Sequence, residues 1–184
     1  LNNGENSYQV IANRFTQLNP LTLTAVLDGF TITGGRNEVS SVGDYKTGAG
    51  MYNVYASPTL NNIIFFGNSA QFGGGGLMNS LNCSPVLTNV TFLKNFSAND
   101  GGGMLNYTGA NTILQNVTFK ENFCFGNYGG GAMFNYQNSP AFTNCHFSNN
   151  FASTGGAISC VSAVAAFADC SFTNNGCFQS GGTG

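Results

Sequence analysis

Residues able to do chemistry are few and scattered in this chain. Seven acids, five Lys and Arg and one His serve 184 residues. Acid–base work on a glycosidic bond needs two carboxylates facing one substrate, and Ca²⁺-assisted elimination needs a carboxylate cluster with a nearby Arg or Lys. Asp28, Asp44, Asp100, Glu121 and Asp169 fall instead at unrelated points of the chain. His146 is the single histidine, and no Ser, Cys or acid recurs beside it, so a solvated surface histidine is expected. Gly73 to Gly76 lacks the Gly-Lys-Ser or Gly-x-Gly-x-x-Gly setting of a phosphate loop. Six Cys occur without any Cys-x-x-Cys pair, which argues against zinc. No catalytic, cofactor-binding or metal site is expected.

The residues that do recur define the elements. A glycine column reads Gly48, Gly74, Gly101, Gly130, Gly155. Three positions on stand Met51, Leu77, Met104, Met133, Ile158, and two further Asn53, Asn79, Asn106, Asn135, Cys160. Then come Leu60, Leu87, Leu114, Phe142, Phe167, followed by Asn62, Asn89, Asn116, Asn144, Asp169. The copy closes on Phe65, Phe92, Phe119, Phe147, Phe172 and on Asn68, Asn95, Asn122, Asn150, Asn175. Those Phe follow one another at 27, 27, 28 and 25 residues, a solenoid period. The runs are short, alternating and broken by Gly, Asn and Ser-Pro, which predicts three short strands per turn and no helix. The expected fold is all-β, a right-handed parallel β-helix with coils of about 25–28 residues and rungs about 4.8 Å apart. Stacked Phe would fill the core, and stacked Asn would bond the backbone and one another. Asp28 aligns with Asn61 and Asp169 with Asn62, so these two acids share no column; Asp169 reads as a turn residue.

Length implies one domain, residues 1–184. Residues 1–25 are irregular, with an early strand expected at Tyr8–Ile11; 36–47 hold a loop insertion; 48–175 are regular coils; 176–184 begin another. The chain opens mid-pattern and stops at Gly181-Gly182-Thr183-Gly184, so a piece of something longer is expected. Charged residues are only 7%, yet 17 Phe and the aliphatic columns supply a core, which excludes disorder. A formal charge of −2 with scattered cations argues against nucleic acid, and no apolar run is long enough to insert in a membrane. Cys145 and Cys170 share a column on adjacent rungs, where they either pair or fill space left by Val90 and Val117. Asn82, Asn89, Asn95, Asn106 and Asn116 match Asn-x-Ser/Thr, a by-product of the repeat.

Ala25 to Gly35, with Asn6 to Val10 upstream, and the later Ser-Pro-x-Leu-x-Asn-Val-Thr-Phe and Gly-Gly-Gly-Met-x-Asn segments resemble bacterial secreted right-handed β-helix repeat proteins of the Bacteroidetes type. Gly155 to Ile158 and the Phe172-x-x-Asn175 element are similar to polymorphic outer-membrane protein repeats, which are adhesins. The resemblance implies a secreted or cell-surface bacterial location and a non-enzymatic structural or adhesive module. Polysaccharide lyases and hydrolases share the fold and are the alternative, although the motifs of polygalacturonases and pectate lyases are absent. Ice binding is the minor alternative. It wants regular Thr ranks, and the column Asn61, Thr88, Gln115, Thr143, Ala168 is not one.

One surface stands out. Alternation turns Tyr52, Met78, Leu105 and Phe134 outward, with Val54, Ser80, Tyr107 and Tyr136 two positions on. An apolar strip of this kind is expected to be covered, by residues 1–25, by another protein or by a second copy. A glycan is a further expected contact. The open coil at Gly181–Gly184 would favour end-to-end association.

Overall fold

A computed structural model describes residues 7–37 and 47–178. The coils turn at corners marked by one or two residues in a left-handed conformation. After the first strand these are Tyr55, Leu81, Thr108, Gln137 and Ser162; after the second, Gly29, Asn62, Asn89, Asn116, Asn144 and Asp169. After the third they are Gly34, Gly67, Lys94, Glu121, Asn149 and Asn174, and before the next coil Gly48, Gly74, Gly101, Gly130 and Gly155. Asn and Gly populate this region most readily, so two of the four corners show in the sequence. The corners holding Lys94, Glu121 or Leu81 do not.

Between corners the chain is extended. The first coil carries β1 (Ile11–Arg14), β2 (Val26–Asp28), β3 (Thr31–Thr33) and β4 (Arg36–Asn37), and the second β5 (Met51–Val54), β6 (Thr59–Asn61), β7 (Ile64–Phe66) and β8 (Ser69–Ala70). The third has β9 (Leu77–Ser80), β10 (Val86–Thr88), β11 (Thr91–Leu93) and β12 (Phe96–Ser97), the fourth β13 (Met104–Tyr107), β14 (Ile113–Gln115), β15 (Thr118–Lys120) and β16 (Phe123–Cys124). The fifth has β17 (Met133–Tyr136), β18 (Ala141–Thr143), β19 (His146–Ser148) and β20 (Phe151–Ala152), the sixth β21 (Ile158–Val161), β22 (Ala166–Ala168), β23 (Ser171–Thr173) and β24 (Gly176–Cys177). Every fourth strand pairs in parallel, giving four six-stranded sheets, and no helix occurs among the described residues. The protein is a parallel β-solenoid. Four strands per coil replace the expected three, because a two-residue strand such as Ser69–Ala70 carries too little alternation to be read.

The registers match the columns. Leu27, Leu60, Leu87, Leu114, Phe142 and Phe167 lie in line, as do Ile32, Phe65, Phe92, Phe119, Phe147 and Phe172. The Phe65, Phe92, Phe119 and Phe147 rings stack at 4.7, 4.6 and 5.0 Å and are fully buried. Two departures concern the N-terminal part. The early strand is Ile11–Arg14 rather than Tyr8–Ile11, and it pairs in register with Met51–Val54. The insertion expected at 36–47 starts later, since Arg36 and Asn37 pair with Ser69 and Ala70; residues 38–46 lie outside the described residues. The period disappears from the sequence here because extra residues separate β1 from β2 as well as β4 from β5.

Glycine is required where backbones touch. A Cβ on Gly75 would lie 2.2 Å from the Phe96 carbonyl oxygen and 2.5 Å from that of Gly102. Gly102 and Gly131, in the same column, meet the same obstruction. One position on, the column Gly50, Gly76, Gly103 ends in Ala132 and Ala157, so the last two rungs accommodate a methyl group; on Gly103 a Cβ would still lie 2.7 Å from the Ala132 carbonyl oxygen.

Candidate functional site

Two Asn ladders run through the interior. Asn13, Asn53, Asn79 and Asn106 each donate from Nδ2 to the next Oδ1 at 2.8–3.1 Å, and Asn135 ends the series by donating to Cys160 Sγ. Asn13 was not legible as a member, although it stands two residues after Ile11 as Asn53 does after Met51. In the second ladder, Asn68, Asn95, Asn122 and Asn150 donate to the Oδ1 of the next copy at 2.9–3.1 Å. Each also donates to a carbonyl of the coil before, Asn95 to Phe65 and Asn122 to Phe92. The Oδ1 of Asn95, Asn122, Asn150 and Asn175 takes in addition the backbone N–H of the preceding Asn, and that of Asn68 takes the Gly35 N–H. In Asn95, Asn122 and Asn150 both amide hydrogens are donated and Oδ1 accepts twice. A third ladder, of exposed Asn62, Asn89, Asn116 and Asn144, donates the opposite way and ends on the Asp28 carboxylate at 2.7 Å. The buried Asn95 and Asn106 sequons are thereby structural, not glycosylation sites.

The acids do not gather. Asp28 lies on the first coil and Asp169 on the sixth, about 24 Å apart at the usual rung spacing. Glu121 sits between Lys94 and Lys120, 3.5 Å from each, on exposed surface. Asp100 packs in the turn between β12 and β13, its Oδ2 bonded by Asn99 and its Oδ1 buried without a hydrogen-bond partner. Burial pushes its carboxyl up to about 6. No cluster of three or more His, Cys, Asp or Glu able to hold a metal occurs among the described residues. His146 has a partner that was not foreseen: its Nδ1 lies 2.8 Å from Ser171 Oγ on the next rung. Column alignment puts Ser171 beside it, a signal visible once rungs are assigned. Both are exposed on one sheet face, and no carboxylate accepts a hydrogen bond from the ring, so the pair lacks the third member of a nucleophilic site.

The six cysteines are free. Cys145 and Cys170 are neighbours on adjacent rungs, but their thiols turn to the carbonyls of Thr143 and Ala168 in their own corners, at 3.4 and 3.2 Å. Burial raises the Cys145 thiol to about 11 and Cys124 to about 12, so neither is a ready nucleophile at neutral pH.

The outward strip on the first sheet is where the structure differs most from expectation. Tyr52, Met78, Leu105 and Phe134 form one cluster, separate from the main core and only 4–8% exposed. Met51, Leu77 and Met104 face inward and are buried too. The strip is already buried within the single chain. The chain's own glycine turns lie across the strip. A Cβ on Gly73 would come within 2.4 Å of Leu105 Cδ2, and those on Gly48 and Gly74 within 3.0 Å of the Cβ atoms of Tyr52 and Met78. The Tyr128 ring leans on Phe134 at 6.1 Å. At the Tyr52 end the N-terminal segment does contribute, with the Arg14 guanidinium 4.7 Å above the ring. The outermost members differ: Tyr107 is 42% exposed and stacks on half-buried Tyr136 at 4.9 Å.

The expected open edge at Gly181–Gly184 lies outside the described residues. The last described rung pairs on one side only. There Phe167 and Phe172 are 45% and 51% exposed, whereas Phe142 and Phe147 one rung back are 1% and 0%.

Among known protein families, residues 144–161 match the Chlamydia polymorphic membrane protein repeat. The match covers the corner Asn144, the Phe147 core position, the ladder Asn150 and the turn Gly155 to Ile158, less than one coil. It supports the second of the two resemblances; nothing found supports the Bacteroidetes type. No curated protein and no solved structure matches the chain.

Proposed function

We propose that this chain is a rigid, non-enzymatic module of a bacterial surface or outer-membrane protein, built to hold contact surfaces away from the cell. The observation that carries the reading is the six-rung stack with hydrogen-bonded Asn ladders, in which the matched repeat segment supplies the end of the fifth coil and the start of the sixth. Such a ladder stiffens the rod and serves no reaction. Its contacts are with another protein, a glycan or a second copy. The polysaccharide-processing alternative would draw on paired carboxylates, and the described acids stand on different coils. The ice-binding alternative would draw on a Thr rank, and the outward column Ile64, Thr91, Thr118, His146, Ser171 is mixed.

The test is antibody labelling of intact cells that make the protein. A surface module is labelled without permeabilisation. Labelling only after permeabilisation would contradict the location.

A further inference from the structure

We propose that a groove on the outer face of the first sheet binds one uronic-acid unit of an acidic polysaccharide. The outermost column of that sheet runs Arg14, Val54, Ser80, and then, following the Asn79–Asn106 register, Tyr107 and Tyr136. Ser80 is the small member. One face of Tyr107 is covered by Tyr136, at 4.9 Å and nearly parallel. Its other face looks over Ser80 into a cavity of about 370 Å³ that Tyr52, Val54 and Met78 also line, with Arg14 at the rim. The volume lies in the range of small-ligand sites.

The shape selects a flat ring. Val54 and Tyr107 stand two rungs apart, with the small Ser80, only 7% exposed, as the floor between them. A flat ring stacked on Tyr107 sits above that floor. The apolar C–H face of a pyranose carries the partial positive charge that the tyrosine π-face attracts. Arg14 adds a guanidinium, placed by its stacking over Tyr52 and by donation from Nη2 to Gln9 Oε1 at 3.2 Å. A carboxylate on the sugar would meet that charge in the geometry guanidinium favours. An added peptide strand needs a sheet edge, and this groove lies on a sheet face. A nucleic acid needs a basic stripe, and the chain's formal charge is −2.

The groove names a ligand for the display module, yet the module reading does not depend on it. The experiment is a calorimetric and NMR titration of the full chain with tetramers of galacturonate, glucuronate and mannuronate, and with their methyl esters. The expected result is saturable binding of at least one acidic tetramer that shifts Tyr107 resonances. Arg14→Gln weakens that tetramer at least tenfold and leaves its ester unchanged. Ser80→Tyr extends the existing tyrosine stack, keeps the fold and abolishes binding; if it fails to fold, Ser80→Val, which repeats the Val54 side chain, weakens binding at least tenfold instead. No binding of any acidic tetramer, or undiminished binding by a folded Ser80 variant, would overturn the groove while leaving the surface-labelling test intact.

Discussion

Asn95 donates one amide hydrogen to Asn122 Oδ1 at 3.0 Å and the other to the Phe65 carbonyl at 2.9 Å, so a single side chain ties three successive coils. Its own Oδ1 receives the Asn68 backbone N–H and the Asn68 amide, both at 3.1 Å. The whole arrangement is buried.

Asn95→Leu should therefore destabilise the chain by about 3 kcal/mol or more, because each buried partner left unsatisfied costs about 1–3 kcal/mol. Asn95→Asp should behave differently with pH. Its oxygens would face the Asn122 and Phe65 oxygens, so the folded state favours the protonated acid. Stability is then greatest below the unfolded carboxyl pKa and is lost as pH rises through the folded value. Urea titrations at acid and neutral pH would show this. An Asn95→Leu midpoint unchanged from the parent would contradict the ladder's role.

Much of this fold was readable because stacking writes the same demand into every coil. The Phe column, the Leu column and two corners are chemically specific, since an inward ring or a left-handed Asn has few substitutes. The fourth strand, the Lys94 and Glu121 corner and the Asn13 rung were not readable. Two-residue strands have no period, a charged residue in a left-handed corner mimics a loop, and insertions displaced Asn13 from its copies. Outward placement of Tyr52, Met78, Leu105 and Phe134 was legible, but their cover was not. Glycine in the turn looks like a bend, and only the coordinates show it lying against Leu105.

Gly75→Ala and Gly103→Ala separate the two glycine columns. The first would drive a methyl group into the Phe96 and Gly102 carbonyls and should prevent folding. The second meets one backbone atom under 3.0 Å, the Ala132 carbonyl oxygen at 2.7 Å, in a column that already carries Ala132 and Ala157, and should cost stability yet leave a folded chain. Thermal melts followed by circular dichroism decide it; equal effects would contradict the assigned approach of the coils.

Leu105→Ala should cost about 2–5 kcal/mol, the usual range for emptying a buried leucine site. Because glycine turns already cover the strip, the substitution acts on folding and not on particle size. Differential scanning calorimetry with light scattering reads both. A stable variant with altered association would return the strip to the role of a bare interface.

Asp100 should make the chain less stable as pH rises. Its carboxyl is raised by burial to about 6, against an ordinary value of 3.8. Stability is fully present below the lower value and falls between about pH 4 and 6 as the proton is lost. Asp100→Asn should remove that slope and raise the melting temperature at pH 8. A variant with the parent's pH profile would show that Asp100 is not the titrating group.

The central claim is contact without chemistry, and product release tests it most directly. The purified chain is incubated with pectate, alginate, hyaluronan and neutral glucans, with and without Ca²⁺, and assayed for new reducing ends and unsaturated sugar termini. A non-enzymatic module predicts no product above the protein-free control for any of them. Release of either product, lost on substitution of one of the chain's acids, would contradict it.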